Sequence, residues 1–139
     1  TTQGVEMGQA KEIGIVGAGT GGLALATFLA RDGHRVRVFD QFAEPKPIGS
    51  GLMLQQTGLA VLDQLGLRAN IDALGTRIER LWGLTTPSQR PVLDVRYAKW
   101  KSELYGLGVQ RGLIFEALLK AAKEAGVELV LAAPVAETD

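Results

Sequence analysis

A chain that runs from a short apolar stretch into Gly-x-Gly-x-x-Gly, and then into an apolar helical pattern, has few folds open to it. Ile13-Gly14-Ile15-Val16 reads as a buried strand, the glycines are Gly17, Gly19 and Gly22, and Leu23-Ala24-Leu25-Ala26 opens the helix. A second strand-like run, residues 35–39, ends at Asp40, at roughly the twenty-residue spacing of an acid that follows such glycines. The glycine pattern alone is weak evidence. With the strand before it, the helix after it and the spaced acid, it is the fingerprint of a dinucleotide-binding strand–helix–strand unit.

Each part of the fingerprint has a physical task. Gly17 is expected to turn the chain out of the strand where a Cβ would clash. Gly19 lets backbone approach a pyrophosphate, and Gly22 lets the helix pack closely on the strand. With Ala18, Thr20 and Gly21 they form the candidate cofactor-binding loop. The helix expected over residues 20–32 carries no acid before Asp32, while Arg31, His34 and Arg35 gather at its far end. A helix start free of negative charge suits a bound phosphate. The alternative is a glycine-rich turn that binds nothing. Asp40 is placed to accept hydrogen bonds from ribose hydroxyls and to repel the 2′-phosphate of NADP, since Gln41 rather than an arginine follows it. The alternative for Asp40 is a solvated acid at a strand end.

Composition narrows the function further. At 139 residues the chain has the length of one domain. Basic and acidic residues number 15 each, which argues against a general nucleic-acid binder. The absence of cysteine excludes disulfides, thiolate catalysis, iron–sulfur clusters and flavin attachment through sulfur, and with His34 as the one histidine no metal site is expected. His34 follows Gly33 at a helix end, where capping suits it better than catalysis. No membrane span is expected, because Arg31-Asp32 stops the apolar stretch 23–30 well short of one. A cytoplasmic location is the default expectation. Residues 1–11 read as a disordered polar tail.

Along the chain, strands are expected at 12–16, 35–39 and 127–132, the last after a helix over 112–125 that Gly126 ends. A Pro- and Gly-rich loop fills 41–51, a leucine stripe marks a helix ending near Gly66, and a short helix covers 69–74. Residues 78–86 and 91–97 read as two strands around the turn 87–90. The fold class is therefore α/β: a Rossmann-like parallel sheet with an inserted antiparallel hairpin over about 77–97.

Five blocks in this order resemble the amino-terminal part of the FAD-dependent monooxygenases of the para-hydroxybenzoate hydroxylase type. They are residues 17–26, 33–40, 48–54 (Ile48-Gly49-Ser50-Gly51-Leu52-Met53-Leu54), 62–67 and 109–114 with Leu118. The resemblance implies that residues 12–139 are part of an FAD-binding domain, with the hairpin belonging to a substrate-side sheet. FAD would be bound in extended form, with adenosine over the fingerprint and Gly51 in the second glycine loop at the cofactor. Asp40 takes a ribose position that is usually Glu, and Arg111 that of an arginine contacting FAD. A cation at a helix start opposes the dipole by roughly 0.3–1 kcal/mol, a sign that a bound phosphate reverses. The alternative for Arg111 is a surface arginine paired with Glu116 or water.

In the full enzyme the resemblance implies NADPH or NADH as transient reductant and an aromatic or similar apolar small molecule as substrate. Other readings are a related FAD or NAD oxidoreductase domain and a nucleotide-binding module without turnover. The sequence departs from the family in having only Lys46 near the second glycine loop and Gln55-Gln56-Thr57 where Pro-Asn is common. The family's later FAD motifs fall beyond residue 139, so the chain reads as a fragment or truncated relative. Alone it is expected to be no competent hydroxylase, to hold FAD weakly, and to associate with itself or a partner or be marginally stable. No catalytic acid or base is singled out.

Overall fold

The computed structural model describes residues 9–44, 46 and 49–137. Most of the tail expected at 1–11 lies outside the described residues, as do Pro45, Pro47 and Ile48 of the expected loop. In chain order the elements are β1 (Glu12–Val16), α1 (Thr20–Arg31), β2 (Arg35–Phe39), β3 (Gly51–Leu54), α2 (Gln56–Leu65) and α3 (Arg68–Leu74). They continue with β4 (Thr76–Ile78), β5 (Arg80–Leu84), β6 (Pro91–Arg96), β7 (Gly106–Gln110), α4 (Arg111–Glu124) and β8 (Glu128–Val130). The chain divides into two compact units, one from Thr1–Lys46 with Leu118–Asp139 and the other from Pro47–Ala117. Among the described residues no helix is long and apolar enough to cross a membrane.

In the first unit β1, β2 and β8 form a parallel sheet in that order, with Ile13 opposite Val36 and Val38 opposite Leu129. Strand alternation turns Val36 and Val38 inward while Arg35 and Arg37 stay exposed. Helix α1 packs on β2 and buries Leu23, Ala26 and Thr27. The buried Thr27 hydroxyl donates to the Leu23 carbonyl at 2.7 Å, so no polar group is orphaned there. Beyond α1, His34 donates its backbone N–H to Leu29 and accepts the Lys11 N–H on Nδ1 at 3.3 Å. Its ring thus ties the entry of β1 to the helix end. The exposed pair Arg35–Glu12, 2.8 Å apart, holds the Glu12 carboxyl below its ordinary range through its hydrogen bond and charge.

The second unit contains structure that the sequence did not announce. Strands β3, β7 and β4 make an antiparallel sheet with β7 in the middle, setting Leu52 opposite Val109 and Arg77 opposite Leu107. The strand expected over 78–86 is broken at Glu79. Ile78 pairs with Gly106 in this sheet, and Arg80 pairs with Arg96 in the separate hairpin of β5 and β6. The hairpin itself forms where its alternation and turn placed it, with Trp82, Val92 and Leu93 exposed. Helix α2 buries Leu59, Leu62 and Leu65 along one stripe and ends at Gly66 with a φ of 75°.

A polar network closes this unit. The Tyr105 hydroxyl donates to Asp72 Oδ2 at 2.7 Å and accepts from Arg68 Nη2 at 2.8 Å, while Arg68 Nε reaches the same carboxylate at 3.0 Å. Burial lowers the Arg68 pKa, but its bonds to Tyr105 and Asp72 outweigh that and hold it above its ordinary value. Asp72 Oδ1 is buried with no partner among the described residues, so the carboxylate depends on what Oδ2 receives. Tyr105→Phe keeps the ring stacked 4.0 Å from the Arg77 guanidinium but removes the hydroxyl. It should lower stability by about 1–3 kcal/mol, read as an earlier midpoint in denaturant unfolding; an unmoved midpoint would show that Asp72 does not need that bond.

Candidate functional site

The first unit gathers Gly17, Ala18, Gly19, Thr20, Gly21, Gly22 and Asp40 at the carboxyl ends of β1 and β2. Gly17 leaves β1 with a φ of 101°, and its N–H donates to the Phe39 carbonyl at 2.7 Å. A Cβ at Gly17 would meet nothing within 4 Å. The demand there is conformational, not the steric clash expected from the sequence. At Gly22 the demand is steric, since a Cβ would fall onto the Gly17 carbonyl oxygen. That contact is the close helix–strand approach the spacing implied.

Gly19 caps α1 in extended conformation, φ −78° and ψ −179°, with no side chain capping the helix and no acid in its first turn. Thr20 is the first helical residue, and a Cβ at Gly19 or Gly21 would enter open space. An anion placed here would meet backbone N–H groups and the positive end of the helix dipole without a competing carboxylate.

Asp40 is bound into the turn rather than merely solvated. Its Oδ2 accepts the Ala18 N–H at 2.7 Å and its Oδ1 the Phe42 N–H at 2.9 Å. Its backbone N–H donates to Val130, and its carbonyl accepts from Ala133 at 2.9 Å. Beside it lies a concavity of about 280 Å³ walled by Gly17, Phe39, Phe42, Pro134 and Val135. Phe42, Pro134 and Val135 were not singled out from the sequence; an aromatic residue shortly after the acid and a proline just past β8 are the only signals they carry.

The second unit brings together Gly51 and Arg111. Arg111 opens α4, and its N–H donates to the Ser50 carbonyl at 3.2 Å. Its side chain lies against Gly49, whose φ is 116°: a Cβ there would come within 3.2 Å of Nη1 and 3.3 Å of Cδ. Gly51 starts β3 opposite Gln110. Gly49, Ser50, Gly51 and Gln110, with Thr76 and Gly108, border a concavity of about 770 Å³. The neighbours the resemblance left in doubt serve inside the unit. Gln55 Oε1 accepts from the Tyr97 hydroxyl at 2.7 Å, and Gln56 Nε2 donates to the Tyr105 carbonyl at 2.8 Å. In the first unit, Lys46 pairs with Glu44 at 3.1 Å.

The first unit's residues therefore fit an anionic nucleotide, with an uncapped helix start beside a carboxylate bonded into the turn; the second unit by itself sets an arginine against a glycine loop. Comparison with known proteins agrees. A family model described as FAD binding domain matches residues 10–137. The chain is 33% identical over 126 residues to the probable 2-heptyl-3-hydroxy-4(1H)-quinolone synthase of Rhodococcus erythropolis, covering 84% of this chain and 30% of that protein. It is 37% identical over 98 residues to the 3-amino-4-hydroxybenzoate 2-monooxygenase of Streptomyces cremeus, covering 68% and 24% respectively. Among solved structures, 2-methyl-3-hydroxypyridine-5-carboxylic acid oxygenase superposes with a TM-score of 0.80 at 22% identity, over 95% of this chain and 34% of that one. The chain thus spans about a quarter to a third of the length of these relatives. Over residues 10–137, from the segment before β1 to the residues following β8, the chain belongs to the family of FAD binding domains.

Proposed function

We propose that this chain is the FAD-binding portion of a flavin-dependent monooxygenase, with a Rossmann-like first unit that takes the ADP half of the cofactor. In this reading the turn Gly17, Ala18, Gly19, Thr20, Gly21 and Gly22 receives the pyrophosphate and Asp40 the ribose. Gly51 in the second glycine loop and Arg111 at the start of α4 also contact FAD. The observation that carries the proposal is the uncapped, acid-free start of α1 directly behind the glycine turn. Asp40 retains acceptor capacity for ribose, because each of its oxygens accepts one backbone N–H and an ionised carboxylate offers about four lone-pair sites. The turn by itself suits NAD as well as FAD; the family match favours FAD.

When bound, FAD supplies the redox chemistry, with NADPH or NADH as reductant and dioxygen as oxidant. The protein's part is to orient the cofactor and keep water from it. One relative is named as a monooxygenase of an aminohydroxybenzoate and another as a synthase of a quinolone, which supports an aromatic or similar apolar small molecule as substrate. In the full-length protein such a substrate should make NADPH or NADH oxidation proceed together with oxygen uptake and hydroxylated product. Cofactor oxidation that no aromatic compound stimulates would remove the monooxygenase reading while leaving FAD binding intact.

Two glycine variants separate folding from binding. Gly19 is extended and faces open space, so Gly19→Val should fold normally yet weaken FAD at least about a hundredfold by filling the pyrophosphate's place. Gly22→Ala should instead lower stability by about 1–3 kcal/mol through overpacking against Gly17. A folded Gly19→Val chain with unchanged affinity in an FAD titration would contradict the assignment of this turn.

A further inference from the structure

We propose that Asp40 is a positioning residue for the glycine turn, shaping it before any nucleotide arrives, in addition to any contact it makes with ribose. The proposal rests on the reading of that turn as the phosphate site. Its observation is geometric. One carboxylate grips the Ala18 N–H at 2.7 Å with Oδ2 and the Phe42 N–H at 2.9 Å with Oδ1. It therefore joins the turn leaving β1 to the turn leaving β2, where Gly17 N–H already reaches the Phe39 carbonyl at 2.7 Å.

The backbone of Asp40 extends this junction to the third strand. Its N–H donates to Val130 at 3.0 Å, its carbonyl accepts from Ala133 at 2.9 Å, and Ala132 N–H donates to Phe42 at 3.0 Å. The side chain thus projects from a backbone held by β8, and Ala18, whose amide it holds, is buried. Ala18 stands directly before the helix cap Gly19. Fixing the Ala18 amide fixes the direction in which the following backbone enters α1. A turn ordered in this way need not be ordered by its ligand, so part of the binding energy that would otherwise go into ordering appears as affinity.

The inference separates two roles that a single substitution would merge. If Asp40 acts only on ribose hydroxyls, its replacement should have no effect on a nucleotide that lacks them. Binding of ADP and of 2′,3′-dideoxy-ADP to wild type, Asp40→Ala and Asp40→Asn forms a double-difference cycle. Asp40→Ala should weaken dideoxy-ADP by about fivefold or more, and ADP by more still. Amide hydrogen exchange supplies a readout without ligand. The Ala18 and Phe42 amides should exchange faster in Asp40→Ala while Val36 and Val38 in β2 do not change. Asp40→Asn, which keeps one carbonyl acceptor, should restore protection at one of the two amides and covers the case in which Asp40→Ala fails to fold. Equal affinity of dideoxy-ADP for wild type and variant, or unaltered exchange at Ala18, would overturn the proposal. Failure of wild type to bind either nucleotide would instead overturn the phosphate reading, with amide exchange then deciding the role of Asp40 alone.

Discussion

The first unit is built around the start of a helix whose N–H groups no side chain caps. Helix α1 begins at Thr20 behind Gly19, without a capping hydrogen bond and without an acid in its first turn. An ordinary helix would place Ser, Asp or Asn there and gain roughly a few tenths of a kcal/mol over glycine. This one forgoes that contribution and spends glycines on the approach. The glycines are not interchangeable: Gly17 provides a backbone conformation, Gly22 provides clearance, and Gly19 leaves open space. What remains exposed is a group of backbone donors at the positive end of a dipole, held in place by a parallel sheet.

Asp40 is the counterpart of that exposed start. It carries negative charge close to the turn, yet it is engaged sideways by Ala18 and Phe42 rather than placed as a helix cap. A charge at the cap would compete with a phosphate for the same donors. A charge bonded to the Ala18 amide, ahead of the cap, leaves the helix donors available. The second unit follows a related logic with opposite sign: Arg111 puts a guanidinium at the first residue of α4, against the backbone of Gly49, in a helix that also lacks acid in its first turn.

Much of this was legible in the residues. The strand–helix–strand start, α2 and α4 are carried by short-range patterns of apolar residues with glycine punctuation, and they form where those patterns lie. The sheet of β3, β7 and β4 was not legible. Strand β7 contains Gly106 and Gly108, which weaken the strand signal, and β3 begins directly after a glycine loop. Those segments become strands because they pair with one another, a tertiary cause with no local trace. The break at Glu79 has the same origin, because Ile78 and Arg80 find different partners. The site was legible as residue types at a spacing. The bond from Asp40 to the Ala18 amide and the packing of Arg111 on Gly49 were not, since both depend on how distant loops fold back.

In our proposal the turn behind β1 receives the phosphates of a dinucleotide, with Asp40 beside it. Residue-resolved amide chemical shifts of the ¹⁵N-labelled chain, followed during titration with ADP, test it most directly and tolerate weak binding. The largest saturable changes should fall on the amides of residues 17–22 and 40–42. Saturable binding with those amides unmoved, and the changes confined to other parts of the chain, would contradict it.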